Sequence, residues 1–528
     1  MADHDSTGSN AIPYGDDLKM VSGNKELRMA RGITRREFMK YSAGTAACLY
    51  LGVLNAGCGG SKGTTATNGN VPVVVFSDVH FNPFYDPTLF SALVAAEAGE
   101  WATVFKTSSI TTPSPRGGDT NYPLLVLALS GIKQNLGASP LVIFTGDILG
   151  HGIPQLFYPH YYGNLGMPVL PTPDDTAVAA MKAFTDKTVA FFMDQVRGAV
   201  GNVPVMFAVG NGDSYSGYGP NILDGSMTPD NSFLVNTADL FYTKFLNGTA
   251  DHQAFLDSFT VGGYYSAEPA GTNLMVIGLN TILFCQGFSA GPDANDSMVA
   301  DQLDWLDSRL AAATVKGKKV YLLMHAPPGA ILSSTAGLID NGQIPSAAMM
   351  WYPDYQARFL KILSNYPGII SLALAGHTHM DEYRVLPASA ALEITPSISP
   401  WFGNNPAFKV FTISRATWKP TDFSSRNYDL AANPATFNSY YTFSTEYSAR
   451  GLLDASLRQL TPALVADNAK QALYRGHYFS GNDSLAPVTY PYGNSYAPIT
   501  DTTWPVYWSG IGHMEQQAII DAVNSYPN

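Results

Sequence analysis

The chain has 528 residues, of which 46% are hydrophobic and only 14% are charged. This length and composition can fill a large core, as one big domain with additions or as two to three domains. The formal net charge is -12, from 30 basic and 42 acidic residues. Because no run of lysine or arginine offsets this acidity, the sequence argues against a nucleic-acid partner held by charge.

The N-terminal segment has the pattern of an export signal. A twin arginine lies within Thr34–Lys40, and the apolar stretch Tyr41–Leu54 follows it, which is typical of twin-arginine export. The stretch is too short and too rich in glycine and alanine for a membrane-spanning helix. Residues 54–58 resemble a lipoprotein cleavage box ending in Cys58, although Asn55 stands where such boxes usually carry an aliphatic residue.

From these features we expect residues 1–60 to be a signal peptide and residues 61–70 to be a linker rich in glycine, serine and threonine. The predicted location is outside the bacterial cytoplasm, either in the periplasm or at the cell envelope, with Cys58 as the candidate for lipidation and membrane anchoring. A basic amphipathic N-terminal helix is the alternative. The sequence leaves both the lipidation of Cys58 and the oligomeric state open.

Apolar runs of β-prone residues alternate with helical patterns through residues 71–415, the predicted catalytic domain. The runs include Val71–Phe76, Leu141–Phe144, Val203–Val209, Lys319–Met324 and Gly368–Ala375. This alternation predicts an α/β fold around a largely parallel sheet. We expect Ala407–Ile413 to be the last strand and residues 416–528 to be a helical C-terminal extension packed against that domain.

Polar side chains follow five of these strands, at the carboxyl ends where sites lie in open α/β folds. They are Asp78 and His80, Asp147, Asn211, His325, and His377 with His379. A lone His-x-His pair is more often two loop histidines at the surface. The repetition at five strand ends therefore indicates that these residues share one site.

Imidazole, carboxylate and amide ligands without cysteine suit Zn, Mn or Fe, with Zn favoured. Seven ligands are too many for one tetrahedral ion, so the set implies two divalent metal ions. Asp147, in the middle of the set, is the candidate bridging ligand. Two metals about 3.5–4 Å apart orient a hydroxide and hold the attacking and leaving oxygens of a phosphoryl group.

The ordered set resembles the motifs of the calcineurin-like metallophosphoesterases. The matching pieces are Asp78-Val79-His80, Gly146-Asp147, Gly210-Asn211-Gly212-Asp213, His325 and Gly376-His377-Thr378-His379. This resemblance implies a β-sandwich flanked by helices. Residues 77–86, residues 395–408 and the helical C-terminal extension are similar to the acid sphingomyelinase-like phosphodiesterase branch of that superfamily.

The resemblance also implies roles for individual residues. One metal ion would be held by Asp78, His80, Asp147 and His379, and the other by Asp147, Asn211, His325 and His377. His151, four residues after the bridging aspartate, would be the catalytic proton donor, with a loop histidine near the cleft as the alternative. Gly212 stands where the family usually has histidine. Either His151 then supplies the proton alone, or the substrate has a good leaving group, or the enzyme is weak.

These implications predict an exported phosphodiesterase of the sphingomyelinase-like kind, in which a hydroxide between two metal ions attacks a small-molecule or lipid phosphoester. A polyphosphate or phosphoanhydride hydrolase is one alternative, because endopolyphosphatases of this branch also lack the histidine that Gly212 replaces. A phosphomonoesterase is another. The last is a non-catalytic binding protein on a degenerate scaffold, against which the complete ligand set argues. The segments 106–122, 154–173, 214–236 and 329–350 are expected to be loops that wall the cleft, the first of them a surface loop and the second an irregular loop.

Overall fold

The computed structural model describes residues 69–163, 171–219, 232–287, 292–387, 390–432, 434–482 and 499–527. The predicted signal peptide, Cys58 and most of the predicted linker lie outside these ranges. Residues 68–528 cluster as one compact unit. Among the described residues, no helix combines the length and the apolar character that crossing a membrane requires.

Two six-stranded sheets lie at the centre of the fold. Sheet 1 has the strand order β12-β11-β10-β1-β2-β3, and sheet 2 has the order β4-β5-β6-β7-β9-β8. The strands are β1 (Asn70–Phe76), β2 (Val142–Phe144), β3 (Val205–Phe207), β4 (Tyr265–Ala267), β5 (Leu274–Gly278), β6 (Lys319–Leu323), β7 (Ile370–Ala375), β8 (Glu382–Val385), β9 (Ala391–Ile394), β10 (Ala407–Ser414), β11 (Pro420–Asn427) and β12 (Asn438–Thr442).

Helices follow and flank these strands. They are α1 (Phe90–Ala95), α2 (Trp101–Phe105), α3 (Tyr122–Asn135), α4 (Ile153–Tyr161), α5 (Asp175–Val200), α6 (Phe233–Leu240), α7 (His252–Gly262), α8 (Pro292–Val315), α9 (Leu332–Ala336), α10 (Pro353–Ser364), α11 (Phe443–Glu446), α12 (Leu453–Ala466), α13 (Asn468–Tyr478), α14 (Trp504–Gly512) and α15 (Gln516–Asn524). Short 3₁₀ segments cover Pro87–Leu89, Ala98–Glu100 and Thr281–Phe284, and a π-helical turn covers Phe241–Leu246.

The strands that carry the candidate site pair with their neighbours in parallel. In sheet 1, β1 pairs with β2 and β2 pairs with β3 in parallel. In sheet 2, β5, β6, β7 and β9 pair in parallel, and β4 and β8 add antiparallel edges. The predicted α/β class is confirmed, as two mixed sheets flanked by helices instead of one largely parallel sheet.

The prediction that the strands end at Ile413 is wrong. β10 continues into an antiparallel pair with β11, and β11 pairs with β12, so residues 420–442 complete sheet 1. The helices expected after residue 416 begin only with α11. β11 has the sequence PTDFSSRN, in which polar residues hide the period-2 pattern that identifies a strand.

The prediction of an irregular loop from residue 154 is also wrong in part, because α4 covers Ile153–Tyr161. Pro154 lies in the first helical turn, where a missing N–H costs nothing and the fixed φ suits a helix. Gly152 precedes the helix with φ of 68°, which glycine adopts without strain. The helix therefore starts two residues after His151 and fixes the chain on that side of the candidate site.

Candidate metal centre

The structure brings all seven predicted ligands together where the carboxyl ends of the parallel strands of the two sheets meet. Sheet 1 contributes the residues after β1, β2 and β3, and sheet 2 contributes those after β6 and β7. The two sheets are joined at this point by the N–H of Ser399, which donates to the carbonyl of Asp78 at 3.0 Å. Six of the seven side chains belong to residues that are at most 2% exposed, namely Asp78, His80, Asp147, Asn211, His325 and His379.

One set of contacts surrounds the ring of His80. Its Nε2 atom lies 3.1 Å from Nε2 of His379 and 3.2 Å from Oδ2 of Asp147. Oδ1 of Asp78 lies 3.4 Å from Nε2 of His379 and 3.9 Å from Nε2 of His80. Four ligand atoms therefore face one small volume.

A second set surrounds Asn211. Its Oδ1 atom lies 3.0 Å from Nε2 of His325 and 2.8 Å from Nδ1 of His377, and these two ring nitrogens are 3.3 Å apart. Oδ2 of Asp147 lies 3.2 Å from Nε2 of His325, the same distance as to His80. The two sets thus share Oδ2 of Asp147, and Oδ1 of Asp78 also lies between them, 3.9 Å from Nε2 of both His80 and His325. The residues fall into the two sets that the resemblance implies, with Asp78 close to both. Which of these residues bind metal stays a prediction.

The donor atoms fit a pair of divalent cations. Nδ1 of His80 donates to the carbonyl of Leu149 at 3.0 Å, and Nδ1 of His325 donates to that of Thr145 at 2.8 Å. In the neutral rings, Nε2 then carries a lone pair that faces the other ligand atoms. Buried lone pairs and carboxylates at such short separations repel each other unless cations lie between them. Imidazole, carboxylate and amide donors are those that Zn, Mn and Fe accept.

The backbone at the site is strained in a way that places these side chains. Asp78, His80, Asp147, His377 and His379 have φ values of 48°, 45°, 62°, 72° and 67°. The left-handed region is costly for residues other than glycine and persists where the surroundings enforce it, often at functional sites. A side chain at Gly376 would overlap Ser77 and Asp78, which explains the glycine before the two histidines.

Without metal, the ligands interact strongly with each other. Burial is the largest single effect on the pKa of His80 and of His325 and lowers both, but the nearby carboxylates, Asp147 above all, together raise both pKa values to about 9. Burial, together with the charge of His325, lowers the pKa of His377 to about 3. Burial also raises the pKa of Asp78 to about 6. Bound cations would displace the protons from these nitrogens and carboxylates.

His151 lies beside the first set of contacts. Its ring is stacked on that of His80, with centroids 4.0 Å apart, and on that of Trp401 on the other side at 4.3 Å. The side chain is 20% exposed. Ring nitrogens of His80, His151 and His379 lie within 4.8 Å of one another. The position thus suits a proton donor next to the metal centre and also allows a ligand role, and the choice between these roles stays a prediction.

Two acidic residues that support the site received no role from the sequence. Asp119 accepts hydrogen bonds from the backbone N–H and from Nδ1 of His151 at 2.9 and 2.7 Å. It lies in the segment 106–122 that was expected to be a surface loop, yet the residue is 3% exposed. The segment is buried because the backbone of Phe81 forms isolated β-bridges with Thr120 on one side and Leu149 on the other. No local sequence pattern predicts these contacts.

The second of these residues is Asp213, which ends the Gly-Asn-Gly-Asp motif and is fully buried. Its carboxylate accepts the N–H groups of Asp147 and Ile148 at 3.0 and 2.7 Å. The motif contained the signal, since an acidic residue two positions after a predicted ligand is well placed to orient it.

Gly212 has no side chain to offer to a substrate, but its backbone contributes to the site. Its N–H donates to Oδ1 of Asp147 at 2.7 Å. A Cβ atom at this position would lie 3.2 Å from the carbonyl of Leu149 and 3.3 Å from Oδ1 of Asp147. A side chain at position 212 would therefore press against the carboxylate of Asp147, the candidate bridging ligand.

Comparisons with known proteins point to the same group of enzymes. The family model of the calcineurin-like phosphoesterases matches residues 71–381. Cyclic GMP-AMP phosphodiesterase SMPDL3A of Rattus norvegicus is 25% identical over 437 residues, which are 78% of this chain and 84% of the relative. Sphingomyelin phosphodiesterase B of Dictyostelium discoideum is 24% identical over 69% of this chain and 52% of its own length.

Human sphingomyelin phosphodiesterase is 28% identical over 54% of this chain and 38% of its own length. This chain therefore spans about half or less of the two sphingomyelin phosphodiesterases, but most of SMPDL3A. The family model covers more than half of the chain and includes all seven predicted ligands. The chain belongs to the calcineurin-like phosphoesterase family and is a metal-dependent phosphoric ester hydrolase.

Proposed function

We propose that this chain is an exported phosphodiesterase with a two-metal centre, which cleaves a small-molecule or lipid phosphodiester. The observation that supports this most directly is the meeting of two ligand sets at Oδ2 of Asp147, 3.2 Å from both His80 and His325. A carboxylate that is shared between two sets of ligands suits a pair of neighbouring cations.

Two bound divalent cations would acidify a water molecule between them and neutralise charge on the phosphoryl oxygens. The residues of the chain would supply the rest. Asn211 and the histidines would hold the centre, and Asp147 would join its halves. His151, fixed by Asp119, would present Nε2 on the same side as His80 and protonate the leaving oxygen.

A diester substrate is supported by the names of the relatives, which are phosphodiesterases for cyclic GMP-AMP or for sphingomyelin. These two substrates share a phosphate with two ester bonds and differ in everything else. The proposal is therefore limited to the phosphodiester bond. Trp401 is half-buried and its ring is stacked on that of His151 at 4.3 Å, so an aromatic side chain would lie near the leaving group.

A phosphoanhydride such as polyphosphate is the second candidate, and Gly212 favours it. The family histidine is missing at this position, so fewer groups can protonate a poor leaving group. A phosphoanhydride has a good leaving group and depends less on a general acid, whose contribution is typically ~10²–10⁴-fold.

The test is turnover of bis(p-nitrophenyl) phosphate against p-nitrophenyl phosphate by the purified chain loaded with Zn²⁺ or Mn²⁺. We expect the diester to be cleaved faster. A faster monoester reaction would overturn the proposal in favour of a phosphomonoesterase. Turnover of neither ester, together with release of phosphate from polyphosphate, would replace it with the second candidate. Inactivity on all three substrates with metal bound would overturn the diester proposal and leave a different phosphoester as the substrate.

Export and lipid anchoring are part of the proposal and rest on the sequence of residues 34–58. We expect the chain to appear in the periplasm or the envelope of a bacterial host with a twin-arginine pathway. Replacing Arg35 and Arg36 together with lysine should keep it in the cytoplasm. Membrane association that disappears in Cys58→Ala would support lipidation, and association that persists would contradict it.

A further inference from the structure

The turn that follows β3 ends in a buried carboxylate with three hydrogen bonds to backbone amides. Oδ1 of Asp213 accepts the N–H of Ile148 at 2.7 Å. Oδ2 accepts the N–H of Asp147 at 3.0 Å and that of Gly210 at 2.9 Å. Since Asp147 and Ile148 belong to the loop after β2, one carboxylate joins the loop that carries one predicted ligand to the turn that carries another.

A hydrogen bond in the opposite direction completes this connection. The N–H of Gly212 donates to Oδ1 of Asp147 at 2.7 Å. Oδ1 is thereby occupied, while Oδ2 remains directed at His80 and His325. The orientation of the Asp147 carboxylate is thus set from the turn, and only one of its oxygens is available to join the two ligand sets.

The loop after β2 and the turn after β3 also lie too close together for a side chain to fit between them. A side chain at Gly210 would overlap the carboxylate and the backbone N of Asp147. Asn211, the predicted ligand, lies between Gly210 and Gly212, so the hydrogen bonds of both its neighbours fix its place. Its own carbonyl accepts the N–H of Gly219 at 3.1 Å.

We infer that Asp213 is a positioning residue of the metal centre, which holds Asp147 and Asn211 at the separation that a divalent cation needs. This inference rests on the proposed two-metal function. Hydrogen-bonding partners behind metal ligands typically contribute ~10–100-fold to metal affinity. Both Asp147 and Asn211 belong to the set with His325 and His377, but only Asp147 belongs to the other set. Loss of Asp213 therefore weakens the cation on the Asn211 side more.

The test is the binding of Zn²⁺ to Asp213→Asn. Asparagine keeps the shape of the side chain but replaces one acceptor oxygen with an NH₂ group, which then faces a backbone N–H. Metal content is measured by mass spectrometry after equilibration in buffers of fixed free Zn²⁺, and folding of the metal-free chain is measured by thermal melting. The control is Asp422→Asn on β11, outside both ligand sets, because Asp422 likewise accepts backbone N–H groups, those of Phe423 and Ser444 at 2.9 and 3.0 Å, both on Oδ1.

We expect wild type and Asp422→Asn to bind two Zn²⁺ and Asp213→Asn to bind one of them at least ~10-fold more weakly, with a folded metal-free chain. Two Zn²⁺ bound by Asp213→Asn with wild-type affinity would overturn the inference and leave the two-metal proposal intact. Fewer than two Zn²⁺ on the wild type would overturn the two-metal proposal itself. If Asp213→Asn does not fold, Asp213→Ser keeps one acceptor and is measured in its place. Failure of both to fold would contradict a role confined to the ligands.

Discussion

Asp119 holds His151 at two points, because its two carboxylate oxygens accept the backbone N–H at 2.9 Å and the ring Nδ1–H at 2.7 Å. A carboxylate only accepts hydrogen bonds, so the Nδ1 atom of His151 carries a proton. If His151 is the proton donor, Nε2 is the atom that exchanges a proton with the substrate. The ring of His151 lies stacked between those of His80 and Trp401, which fixes its plane.

Asp119→Asn should lower turnover of diesters with alkyl leaving groups by up to ~10²-fold, the lower end of what a general acid contributes. Asparagine cannot accept both N–H groups, so the ring loses its fixed orientation. Nitrophenyl esters, whose leaving groups need little protonation, should be affected much less. Kinetics on the two types of ester check this, and an equal loss on both would show that Asp119 acts on the centre as a whole.

His151→Ala distinguishes a proton donor from a metal ligand. If His151 donates the proton, alkyl diesters should lose ~10²–10⁴-fold in turnover while two metal ions remain bound. The check combines steady-state rates with metal analysis of the same sample. Wild-type turnover of alkyl diesters would rule out the proton-donor role. A loss of one metal ion would instead assign His151 to the ligands beside His80 and His379.

Lys409 offers a test of stability close to the site. Its ammonium group is fully buried and lies 2.8 Å from carboxylate oxygens of both Asp381 and Glu393. The lysine is on β10 of sheet 1, Glu393 is on β9 of sheet 2, and Asp381 follows His379 by two residues. Lys409→Met leaves two buried carboxylates without their cation, which should cost about 3–5 kcal/mol in the free energy of unfolding. Denaturant titration measures this cost.

The cost should also depend on pH. Burial raises the pKa of Glu393 above its ordinary value, against the effect of Lys409, which lowers it. Removing Lys409 raises the pKa of Glu393 further in the folded chain, while in the unfolded chain it stays near the ordinary value of 4.5. Between these two pKa values the folded variant therefore binds more protons than the unfolded chain. Its stability then falls as the pH rises through that window. The loss should be larger at pH 8 than at pH 5. A pH-independent loss, or an equal loss in the double variant Lys409→Met/Glu393→Gln, would contradict an unpaired Glu393 carboxylate as its cause.

Much of the site was accessible from the sequence because apolar strands and polar strand ends are local patterns. The runs that became β1, β2, β3, β6 and β7 are largely apolar and buried, and each is followed within a few residues by a predicted ligand. A parallel arrangement of such strands places their ends together whatever the rest of the chain does.

What could not be predicted depends on contacts between distant segments. Asp119 meets His151 only because Phe81 bridges the two loops that carry them. β11 and β12 have polar sequences and become strands by pairing with β10. The hydrogen bonds of Asp213 join residues more than sixty positions apart, so the spacing of the motif alone could not reveal its partners.

The most direct test of the account is the metal content and diesterase activity of wild type and Asp147→Asn, measured on the same preparations. Asp147 is the residue at which both ligand sets meet, 3.2 Å from His80 and from His325. We expect two divalent ions and diester turnover for the wild type, and weakened binding of both ions with no turnover for Asp147→Asn. A wild-type chain that hydrolyses diesters with one ion, or an Asp147→Asn variant that keeps two ions and full activity, would contradict it.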